Sequence, residues 1–156
     1  MNVSEEAIKR INVSWIGAIE DALTAHGDAG LTKKVMKAAG WKCAQHILDD
    51  CTEILGRRPE NVDELLESTN QRRLQKHGLD NLWERRGDSA FLRIYECGCT
   101  LVKAGLARIN PVHCLCSAGL MEHLFSTVCA GSVNVEVVKA IGFGDEACEF
   151  NVEFDE

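Results

Sequence analysis

The first half of the chain carries apolar residues at helical spacing. Ser4 is suited to cap a first helix, because Glu5 and Glu6 follow it in the opening turn. The segment from Gly27 to Gly30 ends this helix, and a second helix is predicted from about residue 32 to residue 55. The predicted apolar faces are Ile8, Ile11, Trp15, Ile19 and Leu23 in the first helix, and Met36, Ala39, Cys43, Ile47, Cys51 and Ile54 in the second.

A third helix is predicted to follow a clear break. Gly56 and the segment Arg57-Arg58-Pro59 stop the second helix, and Asn61-Val62-Asp63-Glu64 resembles a capping box with Asn in place of Ser or Thr. This helix runs to about His77 and has few apolar residues. We therefore expect it to be peripheral.

In the second half the pattern changes to a period of two, which is typical of strands. Segments 82–86 and 89–95 flank the pair Gly87-Asp88, a two-residue hairpin signal, and segment 100–102 is expected to be a short third strand. Near the C-terminus, segment 142–146 supplies a turn between two alternating strands. The inward residues of these strands are predicted to be Val133, Val135 and Val137 in the first, and Cys148, Phe150, Val152 and Phe154 in the second, with Glu149 facing outward.

These elements predict an α+β fold in which N-terminal helices pack on an antiparallel sheet. One C-terminal helix, predicted at 114–130, is inserted before the last β-hairpin. A chain of 156 residues suits a single domain, 1–156, with a mainly helical part at 1–78 and a sheet part at 79–156.

Composition narrows the classes of function. The formal net charge is -7 and the basic residues are scattered, whereas nucleic-acid binding needs a concentrated cationic face. The sequence has no apolar run of membrane-spanning length, and its acidic start lacks the apolar core of a signal peptide. We therefore expect a soluble cytoplasmic protein that neither binds nucleic acid nor spans a membrane.

Eight cysteines in such a chain raise the question of metal binding. In a reducing compartment, closely spaced thiols indicate metal ligands or reactive groups more often than disulfides. Two Cys-x-Cys pairs are separated by 14 residues, and Cys148 is predicted to point inward toward the same helix. The candidate thiolate ligands for a tetrahedral zinc are Cys97, Cys99, Cys114, Cys116 and Cys148. The alternative is that these thiols are reduced and partly core-filling.

A nucleophilic cysteine is a further alternative. Cys114 or Cys116 at a helix start could be a nucleophile, with His113 or His123 as its base. Side chains of adjacent residues diverge in most backbones, so the neighbouring positions of His113 and Cys114 are weak support for a pair.

Four segments of the second half form a recognisable set: Tyr95-Glu96-Cys97-Gly98-Cys99, His113-Cys114-Leu115-Cys116-Ser117-Ala118-Gly119, 133–139 and Gly144-Asp145-Glu146-Ala147-Cys148-Glu149-Phe150. These segments resemble the four-vinyl-reductase-like domain superfamily, a small-molecule-binding fold shared with phenol sensors and Golgi transport-particle subunits. Upstream, Gly40-Trp41-Lys42-Cys43-Ala44 is similar to a helix motif of bacterial relatives, some of them amino-thiazoline-carboxylate hydrolase-like.

The resemblance implies a zinc site and a ligand cavity. Cys114 and Cys148 match the first and last zinc ligands of the phenol sensors, but the middle two fall on Val137 and Ala140. The site is therefore either lost or rebuilt with Cys116, Cys97 or Cys99. The cavity would accept an apolar or aromatic molecule, and its candidate lining residues are Trp41, Trp83, Tyr95 and Phe125.

The favoured interpretation is a ligand-binding or sensor domain for a small apolar molecule, with a structural thiolate zinc site. Two alternatives stay open: a small hydrolase that uses cysteine or metal, and an interaction module that dimerises through its N-terminal helices. Binding is favoured over catalysis, and the expected protein partner is a second copy or a separate effector protein.

Overall fold

The structure is a computed structural model that describes residues 4–78 and 81–156. Residues 1–3, and residues 79 and 80 where the sequence predicts the sheet part to begin, lie outside the described residues. The elements follow in the order α1 (Glu5–His26), α2 (Ala29–Leu55), α3 (Val62–His77), β1 (Glu84–Arg85), β2 (Ser89–Ile94), α4 (Thr100–Lys103), α5 (Pro111–Cys114), α6 (Cys116–Ser126), β3 (Val133–Lys139), a 3-10 turn (Ile141–Phe143) and β4 (Cys148–Phe154).

The four strands form one antiparallel sheet in the order β1-β2-β4-β3, which confirms the predicted fold class. In the register, Leu92 of β2 lies opposite Phe150 of β4, and Val152 lies opposite both Ala90 and Val135. The alternation predicted for the last hairpin is present, since the inward residues of β4 are buried and those of β3 are half-buried. The sheet therefore has one apolar face, and the helices cover it.

Helix α6 lies between the sheet and α2, so the core has three layers. Gly40 of α2 and Gly119 of α6 allow the two helix backbones to touch: a Cβ on Gly40 would lie 2.0 Å from the carbonyl oxygen of Cys116, and one on Gly119 would lie 2.3 Å from that of Lys37. Real Cβ atoms essentially never come so close to backbone atoms. The contact between α2 and α6 therefore depends on both glycines.

Helix starts and the first hairpin follow their predicted local chemistry. The side-chain oxygens of Ser4 and Asn61 accept hydrogen bonds from the third residue after each of them, as the caps require. The Gly87-Asp88 loop is closed by two backbone hydrogen bonds between Arg86 and Ser89, and Gly87 has a φ of 64°. These local signals are reliable because they involve only neighbouring residues.

Several predicted elements are wrong in detail. Segment 100–102 is not a strand, because it lies in α4, and the helix predicted at 114–130 is two helices, α5 and α6, ending at Ser126. Strand β1 is only Glu84–Arg85. Glu149 is on the outward face of β4 but is buried, because Arg93 and Lys139 form salt bridges with it.

The helices are also rotated relative to their predicted faces. In α2 the buried face is Thr32, Met36, Gly40, Ala44, Leu48 and Cys51, whereas Ala39 is exposed and Cys43 and Ile47 are half-buried. Small residues face α6 because the two backbones are so close. Helix α3 is not peripheral at its start, where Val62, Leu65 and Leu66 are buried core residues.

Helix α1 differs most from its prediction. Its apolar stripe faces outward: Ile8, Ile11, Trp15 and Ile19 are between 47% and 71% exposed. Of the 22 residues in α1, Gly17 and Glu20 are the buried ones. Helix α1 therefore turns a mixed face toward the rest of the chain, with Gly17 and Glu20 buried and Val13, Ile16 and Leu23 half-buried. None of the helices in the described ranges has the length and apolar character needed to cross a membrane.

Candidate functional site

Two of the predicted thiol ligands, Cys114 and Cys148, lie beside the 3-10 turn between β3 and β4. The Cys148 sulfur accepts a hydrogen bond from the N–H of Ile141 at 3.4 Å, and the Cys114 sulfur lies against the backbone of Gly142. A Cβ on Gly142 would lie 2.3 Å from the Cys114 sulfur, so glycine is required there for close approach. Cys114 and Cys148 therefore reach the same turn from different elements.

All eight cysteines are free thiols, and those near the turn influence one another. Burial raises the pKa of Cys114 to about 11 and that of Cys116 to about 12, and nearby sulfurs, among them Cys99, add to both effects. Burial also raises the pKa of Cys97, and the sulfurs of Cys99 and Cys148 add to this effect. Within residues 4–78 and 81–156, no group of three or more His, Cys, Asp or Glu side chains is arranged to hold a metal ion.

Cys99 differs from the other seven cysteines. Burial alone would raise the pKa of its thiol, but a hydrogen bond from His113 and the backbone N–H groups of Val102 and Leu101 more than offset this, so the pKa is lowered from 9.0. Burial raises the pKa of each of the others, which are Cys43, Cys51, Cys97, Cys114, Cys116, Cys129 and Cys148. The thiolate is the nucleophilic form of cysteine, so Cys99 is the most reactive thiol by this criterion.

The partner of Cys99 is a buried histidine held by a buried carboxylate. Nε2 of His113 lies 3.3 Å from the Cys99 sulfur, and Nδ1 lies 2.6 Å from Oε1 of Glu20. These two hydrogen bonds raise the pKa of His113 to about 9, with the bond to Cys99 contributing most and burial opposing both. The protonated imidazole thus donates to a sulfur on one side and to a carboxylate on the other.

Asn110 fixes the carboxylate and the start of α5 together. Its side-chain N–H donates to Oε2 of Glu20 at 2.5 Å, and its side-chain oxygen accepts the backbone N–H of His113 at 2.8 Å. Pro111 occupies the first turn of α5, where a missing N–H costs nothing. Both oxygens of Glu20 are thereby bonded, and His113 is held in one orientation.

This arrangement can act as a nucleophile, a base and an orienting carboxylate. From the sequence, Cys99 is predicted only as a metal ligand and His113 only as a base for Cys114 or Cys116. Glu20 is not predicted as a functional residue. Glu20 is one charged residue in a helix with several, and 93 positions separate it from His113. The Asn110-Pro111 pair before His113 is the only local sign that this histidine is positioned by its backbone.

Two of the predicted ligand-contacting residues, Trp83 and Tyr95, line one groove. The groove has a volume of about 670 Å³ and lies beside β1 and β2, where its walls are Asn70, Asn81, Leu82, Trp83, Glu84, Arg86, Phe91, Arg93 and Tyr95. The side chain of Asn70 holds the backbone of Trp83 by two hydrogen bonds, of 2.8 and 3.1 Å. A second cleft of about 410 Å³, around Ser132 and Asp155, is lined mainly by polar residues.

The other two predicted ligand-contacting residues lie elsewhere. Phe125 is buried in the core, edge-on to Trp83 and stacked on Phe154. Trp41 is exposed on α2 and stacks on His123 of α6, with ring centroids 5.1 Å apart. The four aromatic residues therefore do not surround one space, although Phe125 supports the wall formed by Trp83.

Comparisons with known proteins place the chain in a family and identify its fold. Residues 2–155 match the model of a family of unknown function (DUF6144), and the chain belongs to that family. No curated protein matches the chain. The chain is similar in fold to the crystal structure of a trafficking protein particle complex subunit 3 from Naegleria fowleri covalently bound to palmitic acid, with a TM-score of 0.62, 13% identity and 98% of each chain covered. At this identity the likeness shows the fold alone.

Proposed function

We propose that this chain binds a small molecule with an apolar body and a carboxylate, in the groove beside β1 and β2. The observation that carries the proposal is the combination of three aromatic side chains with two guanidinium groups in that groove. The palmitic acid bound to the trafficking subunit of similar fold supports the same class of ligand. The sequence resemblance to four-vinyl-reductase-like domains also points to small-molecule binding. Membership of that superfamily is part of the proposal.

The size and walls of the groove suit such a ligand. Small-molecule sites usually have volumes of roughly 300 to 1,000 Å³, and this groove falls within that range. Tyr95 is 61% exposed and Phe91 is half-buried, so both side chains can bury more apolar surface against a ligand. Trp83 is fixed from behind by Phe125 and Asn70, which gives the groove a rigid wall.

The charges in the groove favour an anionic end on the ligand. The guanidinium of Arg86 lies 4.1 Å from the centre of the Phe91 ring and forms a salt bridge with Glu84 at 2.9 Å. Arg93 forms a salt bridge with Glu149 at 2.8 Å on the same side of the sheet. A ligand carboxylate can bind Arg86 beside Glu84, because a guanidinium carries several donors.

The test is a fluorescence titration with cis-parinaric acid, a fluorescent fatty acid, followed by displacement with palmitic acid, hexadecanol and benzoic acid. Palmitic acid should displace the probe more effectively than hexadecanol if the guanidinium groups matter. Phe91→Ala should weaken binding by about tenfold, since removing a contacting aromatic ring costs on the order of 1.5 kcal/mol. Displacement by benzoic acid rather than palmitic acid would assign an aromatic ligand to the same groove.

Matched variants separate the groove from general surface effects. Arg86→Ala should remove the preference for palmitic acid over hexadecanol, while Arg58→Ala, an exposed arginine before α3, should leave it unchanged. Phe143→Ala, at the exposed end of the 3-10 turn, is the control for Phe91→Ala. Probe binding that is equal in all four variants and the unaltered chain would refute the groove as the site.

A second candidate function is association with another copy of this chain through α1. The observation is the exposed stripe Ile8, Ile11, Trp15 and Ile19, an apolar face of a kind that soluble monomers seldom leave uncovered. Sedimentation of the unaltered chain and of Trp15→Glu tests it. A concentration-dependent dimer that Trp15→Glu dissociates is expected, and a monomer at all concentrations would rule it out.

A further inference from the structure

We infer that Cys99, His113 and Glu20 form a catalytic site that transfers acyl groups from esters or thioesters onto the Cys99 sulfur. The three groups come from three different parts of the chain: the segment after β2, the short helix α5 and the long helix α1. A cysteine next to a histidine that is itself oriented by a carboxylate is an arrangement that activates a thiol as a nucleophile.

The geometry assigns each group a role. The Cys99 sulfur is half-buried and 3.3 Å from Nε2 of His113, which is within hydrogen-bond range for sulfur. Glu20 is buried and occupied on both oxygens, by His113 and Asn110, so its orientation is determined. Cys99 and His113 would touch the reacting atoms, whereas Glu20 and Asn110 are positioning residues.

The reaction needs no reagent other than the acyl donor and water. The Cys99 thiolate attacks the carbonyl carbon, and a carbon–sulfur bond forms. The bond from that carbon to the leaving oxygen or sulfur then breaks, and the leaving group takes the proton from Nε2 of the His113 imidazolium. Neutral His113 can next remove a proton from water, which attacks the acyl-thioester and returns the carboxylic acid and free Cys99.

The surrounding thiols do not compete for this role. Burial, with a smaller contribution from the Cys99 charge, raises the pKa values of Cys97, Cys114 and Cys116, which keeps them as neutral thiols near neutral pH. Cys43 is affected in the same way. Among the titratable groups that face Cys99, His113 is the one that stabilises its thiolate form.

The preference for the acyl group rests on the proposed function, because the groove would hold the apolar chain. Tyr95, in the wall of the groove, precedes Cys99 by four positions, so their Cα atoms lie within about 14 Å of each other. An acyl group of eight or more carbons on Cys99 can extend over much of that distance. A short acyl group needs only the catalytic site.

The first experiment follows acylation by p-nitrophenyl acetate and p-nitrophenyl octanoate, through the p-nitrophenol released and the mass of the labelled peptide. A burst of one p-nitrophenol per chain, followed by slower release as the acyl-thioester is hydrolysed, and a label on Cys99 are expected. Cys99→Ser should abolish the labelling, and His113→Gln should slow it by about 100-fold or more. Cys129→Ser, whose thiol is not among those that influence Cys99, should react as the unaltered chain does.

The second experiment tests whether Glu20 positions His113. It measures the pH dependence of Cys99 alkylation, which a loss of stability alone would not shift. Alkylation of Cys99 by iodoacetamide should follow a pH profile with a midpoint below 9.0 in the unaltered chain. Glu20→Gln and His113→Gln should move that midpoint upward, toward an ordinary thiol, in variants that thermal melting shows to be folded. An unchanged profile in both folded variants would overturn the assignment of His113 and Glu20.

The two proposals fail in distinguishable ways. If the groove is the acyl site, Phe91→Ala should reduce the rate with octanoate and leave the rate with acetate unchanged. If Phe91→Ala reacts with each ester at the same rate as the unaltered chain, the groove is not the acyl-binding site, and the proposal of the catalytic site stands. Labelling of another cysteine, or labelling of Cys99 that does not depend on His113, would overturn the catalytic site whatever the groove binds.

Discussion

Replacing Gly40 with alanine should separate the two helices that hold the site's scaffold together. The new Cβ would lie 2.0 Å from the carbonyl oxygen of Cys116 and 2.7 Å from the amide nitrogen of Leu120. Both neighbours are backbone atoms of α6, so no side-chain rotation relieves the overlap. To reach an ordinary contact of 3.4 Å, α2 and α6 must move apart by about 1.4 Å along that line.

The magnitude follows from what that movement disrupts. Opening a packed interface by roughly 1 Å forfeits up to about half of the dispersion energy across it. Overpacking costs about 1 to 3 kcal/mol and sometimes more, and rigid backbone on both sides puts Gly40→Ala at the upper end. Alanine regains about 1 kcal/mol as a better helix former. We expect a net loss of about 2 to 3 kcal/mol of unfolding free energy, or a melting temperature lowered by about 5 to 10 °C.

The assay is urea and thermal unfolding followed by circular dichroism, with Gly30→Ala as the matched control in the same helix. Gly30 is exposed, and its nearest neighbour is the oxygen of Asp28 that caps the start of α2, at 3.1 Å, which must give by only a few tenths of an ångström, so alanine there should change stability by less than about 1 kcal/mol. Gly119→Ala should resemble Gly40→Ala, and the double variant should lose less than the sum, because both open one interface. A Gly40→Ala protein as stable as Gly30→Ala would refute this account of the contact between α2 and α6.

Three further predictions concern the groove, the histidine and the metal. Asn70→Ala should lower the unfolding free energy by about 2 kcal/mol, measured in urea, because it leaves two backbone groups of Trp83 without partners. The pKa of His113 is raised to about 9 while that of Cys99 is lowered, so the two shifts act on stability in opposite directions between pH 6.5 and pH 9; the measurement is therefore direct titration of the His113 ring by NMR, which should show a midpoint near 9, and a midpoint near 6.5 would contradict it. If the predicted zinc site exists, elemental analysis should find about one zinc per chain, and Cys114→Ala or Cys148→Ala should lose the metal together with thermal stability; a metal-free preparation, or zinc retained in both variants, would end that prediction.

The sequence predicts the sheet well because strand alternation records which side of each strand is buried. Cys148 and Phe150 are inward in the structure for the same reason that Asn151 and Glu153 are not: successive side chains of a strand point to opposite faces. The Gly87-Asp88 hairpin is equally local. Such patterns need no knowledge of which element packs against the strand.

The helices are predicted less well because an apolar stripe does not name its partner. The stripe of α1 is regular, yet most of it faces outward, and the buried side chain of α1 is that of Glu20. In α2 the face against α6 is chosen by the smallness of Gly40 and Ala44 rather than by hydrophobicity. Segment 100–102 contains residues common in strands, but no neighbouring strand pairs with it, and it forms a helical turn instead.

The reactive cysteine of the candidate site is also difficult to predict from the sequence. Eight cysteines look alike in a sequence, and burial acts on all of their thiols in the same direction, since it disfavours the charged form of each. What separates Cys99 from Cys116 is the donor it faces, and that donor is held in place by Glu20, whose carboxylate also adds to the raised pKa of His113. The reactivity of Cys99 is therefore a property of three elements packed together, and removing either His113 or Glu20 should return this thiol to the unreactive state of its neighbours.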